Sequence, residues 1–305
     1  MPLECELLPE PSHRSKLERC GTMTNNRQET RQEFTAAVSV TDTDIDLVAA
    51  CLQIAVEDYG ALDVDAYVAR IDSLAARVSD RISEFDEPFE VVHGVNMVLF
   101  DEESFGGNRV DYYDYRNSYL CDVMDRRIGN PILLCILYNE IAARVGIRFD
   151  PIGLRGHFLL RATSSDDSLF IDPFDRGGLL TKSECERLVA RITGREISLQ
   201  REFNPVGKKS ILARVLNNLK LMYLKDRESE KALAAAERIE IVAPNAWENI
   251  GDIARLQTNL GNYSAATESL TRYLELAPVG RDTSSAQAAL EAIKEGIPPP
   301  SGVGE

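Results

Sequence analysis

Apolar residues recur at three- and four-residue steps through most of the chain, the spacing of helices that bury one face. Over residues 44–56 the apolar set is Ile45, Leu47, Val48, Cys51, Leu52 and Ala55, with Gly60 beyond it as a stop. A second stripe follows at Tyr67, Ile71, Leu74, Val78 and Ile82. Asp63 is placed to cap that helix, and Asp65 suits its first turn. Pro88 separates it from a third helix over residues 89–99. Residues 101–119, rich in Asp, Asn, Gly and Tyr, read as a loop. A short helix is predicted over 118–127, and the turn Gly129-Asn130-Pro131 leads into another over 131–144. Pro131 fits a first helical turn, where its missing N–H has no intrahelical partner to lose. Leu134, Leu137, Tyr138, Ile141 and Val145 fall broadly on one side of this helix, and Gly146 ends it.

The period then shortens. Residues 149–153, 157–162 and 169–172 read as strands, with 163–168 as the turn between the last two and Gly177-Gly178 closing the sheet. Helix resumes over 181–192, with Thr181 or Ser183 as its cap. The first domain, residues 36–203, is therefore α+β: helices leading into an antiparallel sheet.

Residues 204–296 read as all-α and repetitive. Pro244 and Pro278 stand 34 residues apart, as do Ala232 and Ala266, which is the period of tetratricopeptide repeats. Trp247, Gly251, Leu256, Leu260-Gly261-Asn262-Tyr263, Ala266, Tyr273 and Pro278 form the clearer repeat. In the earlier one Lys225-Asp226-Arg227-Glu228 replaces the Leu-Gly-x-Tyr turn, and residues 284–294 read as a closing helix. Residues 1–35 are polar with no apolar stretch, which predicts a disordered arm. Residues 297–305, with three prolines and a Gly-rich end, predict a disordered tail.

Composition narrows the possible partners. The net charge is −15 over 305 residues, which disfavours nucleic acid. The nearest candidate for a basic patch, Lys208-Lys209 with Arg214 and Lys220, is small. No run approaches the ~18 apolar residues of a membrane span. Six cysteines without a CxxC pair and three histidines predict reduced thiols in the cytoplasm, no metal site and no cofactor.

The segment 117–178 carries the functional question: NSYLCDVMDRRIGNPILLCILYNEIAARVGI, then GHFLLRA, then FIDPFDRGG. Together with the repeats it resembles the transglutaminase-like SirB1 family over about residues 41–278, which implies a transglutaminase-like, papain-like domain followed by a tetratricopeptide array. In active members of such folds a Cys at the start of the central helix is the nucleophile, a His from a following strand is its base, and an Asp on the next strand orients the imidazole. The resemblance places His157 and Asp172 in the last two roles. At the nucleophile position it places Pro131, which offers no thiol.

Cys135, four residues on, is a substitute displaced by about 5.4 Å along the helix axis, and its apolar neighbours suit a packed thiol. His157 also reads as a satisfied core histidine, and Asp172 as a turn residue. Three readings follow. The first is a non-catalytic module binding a protein or peptide, with basic segments favoured by the acidic surface and Trp247 and Tyr263 as candidate contacts. The second is a thiol peptidase, amidase or acyl transferase using Cys135, His157 and Asp172. The third has the His157–Asp172 pair acting as a general base on water.

Overall fold

Short polar residues start the helices where the pattern predicts them. The Asp46 carboxylate accepts from the Ala49 N–H and opens α2 (Leu47–Tyr59); Asp63 accepts from the Ala66 N–H and opens α3 (Val64–Ser79). Pro88 begins α4 (Pro88–Asn96), which runs on as a π-helical turn over Met97–Glu102. α5 (Leu120–Arg126) ends on Arg127 at φ 61°, a left-handed residue, and Asn130 caps α6 (Pro131–Arg144) through the Leu133 N–H. The computed structural model describes residues 27–83, 87–163, 168–196 and 201–299.

The disordered arm expected over residues 1–35 needs correcting. Residues 27–38 form a helix, α1, with Phe34 and Val38 buried. Arg31 on its other side reaches Glu57 at 3.1 Å and Glu237 at 2.9 Å. Two apolar side chains one turn apart suffice to dock a helix that composition alone reads as polar. The rest of the expected arm, residues 1–26, lies outside the described residues. The expected tail is described only to residue 299, where the Ile297 N–H still donates to the Ala292 carbonyl at 2.9 Å.

Two small sheets follow. β1 (Gly106–Gly107) and β2 (Ile128–Gly129) pair in parallel, tying the loop before α5 to the entrance of α6. The main sheet is antiparallel in the order β3 (Asp150–Ile152), β4 (Leu159–Thr163), β5 (Ser168–Asp172) and β6 (Gly178–Leu180). β6 adds an edge strand to the sheet, which does not close at Gly177-Gly178 as expected. Arg176 and Gly177 are both left-handed, at φ 56° and 72°, and reverse the chain so that Gly178 pairs with Asp172. The α7 helix (Lys182–Thr193) starts with a capping box between Thr181 and Glu184. It covers the outer face of the sheet, burying Ile152, Leu159, Phe170, Cys185 and Val189 together.

α8 (Lys208–Lys225), α9 (Ser229–Val242), α10 (Trp247–Asn259), α11 (Tyr263–Leu276) and α12 (Ser284–Lys294) form the helical array. Its first pair is not a separate body. Leu212, Leu216, Leu219 and Ile239 share one core with Leu52, Leu120, Leu137 and Leu160 of the first domain. α12 closes on a small core of its own with Ala254 and Leu270.

Candidate functional site

The start of α6 is held from three sides. Asn130 donates to the Ser118 hydroxyl at 2.9 Å, and its backbone N–H donates to the Asn117 carbonyl at 3.2 Å. Asn117, fully buried, donates in turn to the Asp111 and Tyr112 carbonyls and accepts from Asn108. The Asn-Ser-Tyr-Leu stretch is thus the anchor of a strap, residues 108–114, laid across the helix entrance. Tyr119 of the same stretch bonds the Tyr223 hydroxyl at 2.5 Å, joining the strap's foundation to α8. Pro131 stands in the first turn of α6 and is buried.

β4 and β5 bring the predicted pair together. His157 lies just ahead of β4, and Asp172 ends β5. Their side chains meet at 2.9 Å through Nε2 and Oδ2, each only 6% exposed. The other Asp172 oxygen accepts from the Phe174 and Asp175 N–H groups, so the carboxylate is fixed by its own turn. His157 Nδ1 has no hydrogen-bond partner among the described residues, and the residue lines a cleft of about 560 Å³. Tyr112, Phe174, Leu188 and Ile192 form the cleft's apolar walls, with Arg109 and Arg191 at its rim. Phe174 presents its ring to the imidazole edge-on at 5.9 Å, and Arg109 stacks over that ring while pairing with Asp175 at 2.5 Å. An oriented imidazole with one free nitrogen can accept or donate a single proton, or hold a polar ligand atom.

Cys135 does not join this pair. Its residue is 1% exposed, and its thiol donates to the Phe158 carbonyl at 3.4 Å, with no hydrogen bond to the imidazole. Burial pushes the thiol well above its ordinary range, and the Asp172 carboxylate adds to the effect. α6 is buried on all sides over residues 131–138, so the one-sided stripe expected for it is a helix surrounded by core.

The array residues are placed differently again. Trp247 is half-buried against Tyr273, with ring centroids 6.1 Å apart, and Tyr263 is 43% exposed at the start of α11. The two expected contacts therefore sit in different surroundings. The basic cluster dissolves: Lys208 donates to the Thr43 and Ile45 carbonyls, Arg214 to those of Leu154 and His157, and the buried Lys220 pairs with Asp252 at 2.6 Å. Residues of the strap and of α7 line the cleft without having been singled out. The Tyr-rich loop was a usable signal for the strap; Arg191 and Ile192 carried none. Among the described residues no three His, Cys, Asp or Glu side chains stand together as metal ligands would, and no helix is long and apolar enough to cross a membrane.

A helical domain ending in a small antiparallel sheet, with a His at the entrance of one strand and an Asp at the end of the next beside a central helix, defines a papain-like, transglutaminase-like architecture. The chain belongs to the transglutaminase-like superfamily, whose family model matches residues 65–217, and a tetratricopeptide-repeat model matches residues 219–291. It is similar to the UPF0162 protein of Xylella fastidiosa strain 9a5c, 34% identical over 80% of this chain and 89% of that protein. The UPF0162 protein of Pseudomonas aeruginosa is 27% identical over 65% of this chain and 72% of its own length. Mouse F-box only protein 21 is 35% identical over 46% of this chain, but over only 23% of that protein. No solved structure matches the chain.

Proposed function

We propose that this chain is a cytoplasmic, non-catalytic transglutaminase-like protein of the SirB1 type. In this reading its cleft and repeats bind a protein or peptide partner and so serve a regulatory role. The observation that carries this reading is the combination on α6: a proline in the first turn, and a cysteine one turn later that is sealed in the core. A thiol nucleophile needs access and a depressed pKa; Cys135 has neither. Near-attack geometry leaves little room for the one-turn displacement. The tetratricopeptide match supports protein interaction as the role of the C-terminal helical array.

Alkylation of the native protein tests the thiol. Cys135, followed by peptide mass mapping, is expected to react with iodoacetamide near pH 7.5 at least roughly tenfold more slowly than a free thiol, because each unit of raised pKa removes nine-tenths of the thiolate. His157→Ala should not change that rate. Reaction faster than a free thiol, slowed by His157→Ala, would restore the peptidase, amidase or acyl-transferase reading with Cys135, His157 and Asp172.

A second reading has one observation in its favour, the free Nδ1 of an oriented imidazole in an open cleft. There the His157–Asp172 pair serves as a general base on water. Hydrolysis of an activated ester that survives Cys135→Ala and disappears in His157→Asn would favour it over the binding module.

A further inference from the structure

We propose that the pocket between α10, α11 and α12 receives an arginine side chain of a partner polypeptide, and that this chain's own Arg281 fills the place when no partner is bound. The inference rests on the interaction reading above and gives that partner a chemistry. The pocket has a volume of about 460 Å³. Trp247, Gly251 and Arg255 repeat at four-residue steps along α10 and line it together with Glu248 and Asp252. Tyr273 of α11 closes the aromatic side.

The occupant is already visible. The Arg281 guanidinium lies over the Trp247 ring, 5.6 Å from its centroid, a distance at which a cation is attracted to the indole face. Arg281 makes no ion pair among the described residues. It rides on the exposed link between α11 and α12, where Val279 is fully solvent-facing and Gly280 takes a left-handed turn at φ 90°. A side chain held by one stacking contact on an exposed link is readily displaced.

The charges select the same ligand. Three carboxylates (Glu248, Asp252 and Asp282) line the pocket against two guanidiniums, Arg255 and Arg281. With Arg281 withdrawn, and Lys220 counted with its partner Asp252, the balance becomes three against two. Asp252 is committed to Lys220 at 2.6 Å and Arg255 at 3.0 Å, and one oxygen of Asp282 accepts from Ser284. Glu248 is left without an ion-pair partner among the described residues. A planar cation entering between Trp247 and Glu248 meets both an aromatic face and an open carboxylate, and the net charge of −15 draws such a partner in.

Trp247 is the chain's only tryptophan, so its emission reports this pocket alone. The test titrates the intact protein with acetyl-(Arg-Gly)3-amide and, separately, with acetyl-(Glu-Gly)3-amide. A saturable emission change is expected with the first peptide and none with the second. Arg281→Ala should tighten the arginine peptide by about threefold, since it removes a competitor worth a surface cation–π contact, and Glu248→Gln should weaken it. Arg187→Gln on α7 removes one positive charge that does not line the pocket and should leave the affinity unchanged. The proposal is overturned by the absence of a saturable change, by equal response to both peptides, or by Arg281→Ala and Arg187→Gln behaving alike. None of these outcomes bears on Cys135, whose alkylation decides the non-catalytic reading separately.

Discussion

Replacing Glu57 by Gln is expected to cost about 3–5 kcal/mol of folding stability, the loss seen when a buried ion pair is deprived of one partner. For a chain of this size that corresponds to a fall in Tm of roughly 10 °C. The Glu57 side chain is 2% exposed and is shared by cations from two elements: Arg238 of α9, itself 3% exposed, and Arg31 of α1 at 3.1 Å. Arg238 has little else to turn to. One of its nitrogens donates to the Ile54 carbonyl at 3.2 Å, and its Nε has no hydrogen-bond partner among the described residues. Glutamine keeps the shape of Glu57 and removes the charge, so the buried Arg238 guanidinium is left facing a neutral amide away from water, while Arg31 keeps Glu237.

The control is Glu102→Gln, at a surface network with Arg77 and Arg81 where the carboxylate side chain is 30% exposed. Exposed networks of that kind contribute little to stability, because water and salt screen them. Urea unfolding of both variants decides the matter. Equal losses would mean that the α1–α2–α9 junction is not a buried ionic lock. The junction matters for function because it ties the first domain to the second helix of the array, which makes the cleft and the repeats one body.

What the sequence made legible was short-range. Asp63, Pro131 and Thr181, one of the two caps offered for α7, each act within one turn of helix, and the closing helix at Ser284–Lys294 appears with its predicted bounds. The His157–Asp172 contact was legible for a related reason: successive strands of a hairpin bring such positions side by side. The losses were long-range. α1 docks through Phe34 and through Arg31 contacts to residues 26 and 206 positions away, and no local pattern encodes that. β6 depends on Arg176 taking a left-handed conformation that a non-glycine residue does not advertise. α6 carried the most misleading pattern. A helix buried all round has no polar stripe to mark the side facing the cleft, so spacing alone did not decide whether Cys135 faced solvent or core. Arg214 and Lys220 looked like a basic patch because sequence counts charges without their partners.

Gly177→Ala is expected to remove about 2–4 kcal/mol and to loosen the His157–Asp172 pair with it. Two penalties combine. Gly177 sits at φ 72°, where an alanine is disfavoured by about 1 kcal/mol. A methyl group there would also overlap the Asn96 amide. That amide has little freedom to give way: its oxygen accepts from the Tyr138 hydroxyl at 3.0 Å, and its nitrogen donates to the Gly177 carbonyl at 3.1 Å. Overpacking against a fixed group costs about 1–3 kcal/mol more.

The damage should reach the cleft because the Gly177 N–H donates to the Asp172 carbonyl at 2.8 Å, closing the turn that orients the carboxylate. Changed imidazole nitrogen shifts for His157 in the variant would register the loss. Gly194→Ala isolates the backbone contribution, since Gly194 has nearly the same φ, 69°, with no atom within 4 Å of an added methyl among the described residues. Gly194→Ala should therefore cost only the smaller amount and leave the His157 signals in place. Equal costs at the two positions would mean that Asn96 yields freely. The turn behind Asp172 would then be a tolerant loop, and the orientation of the imidazole would have to come from its contact with Phe174.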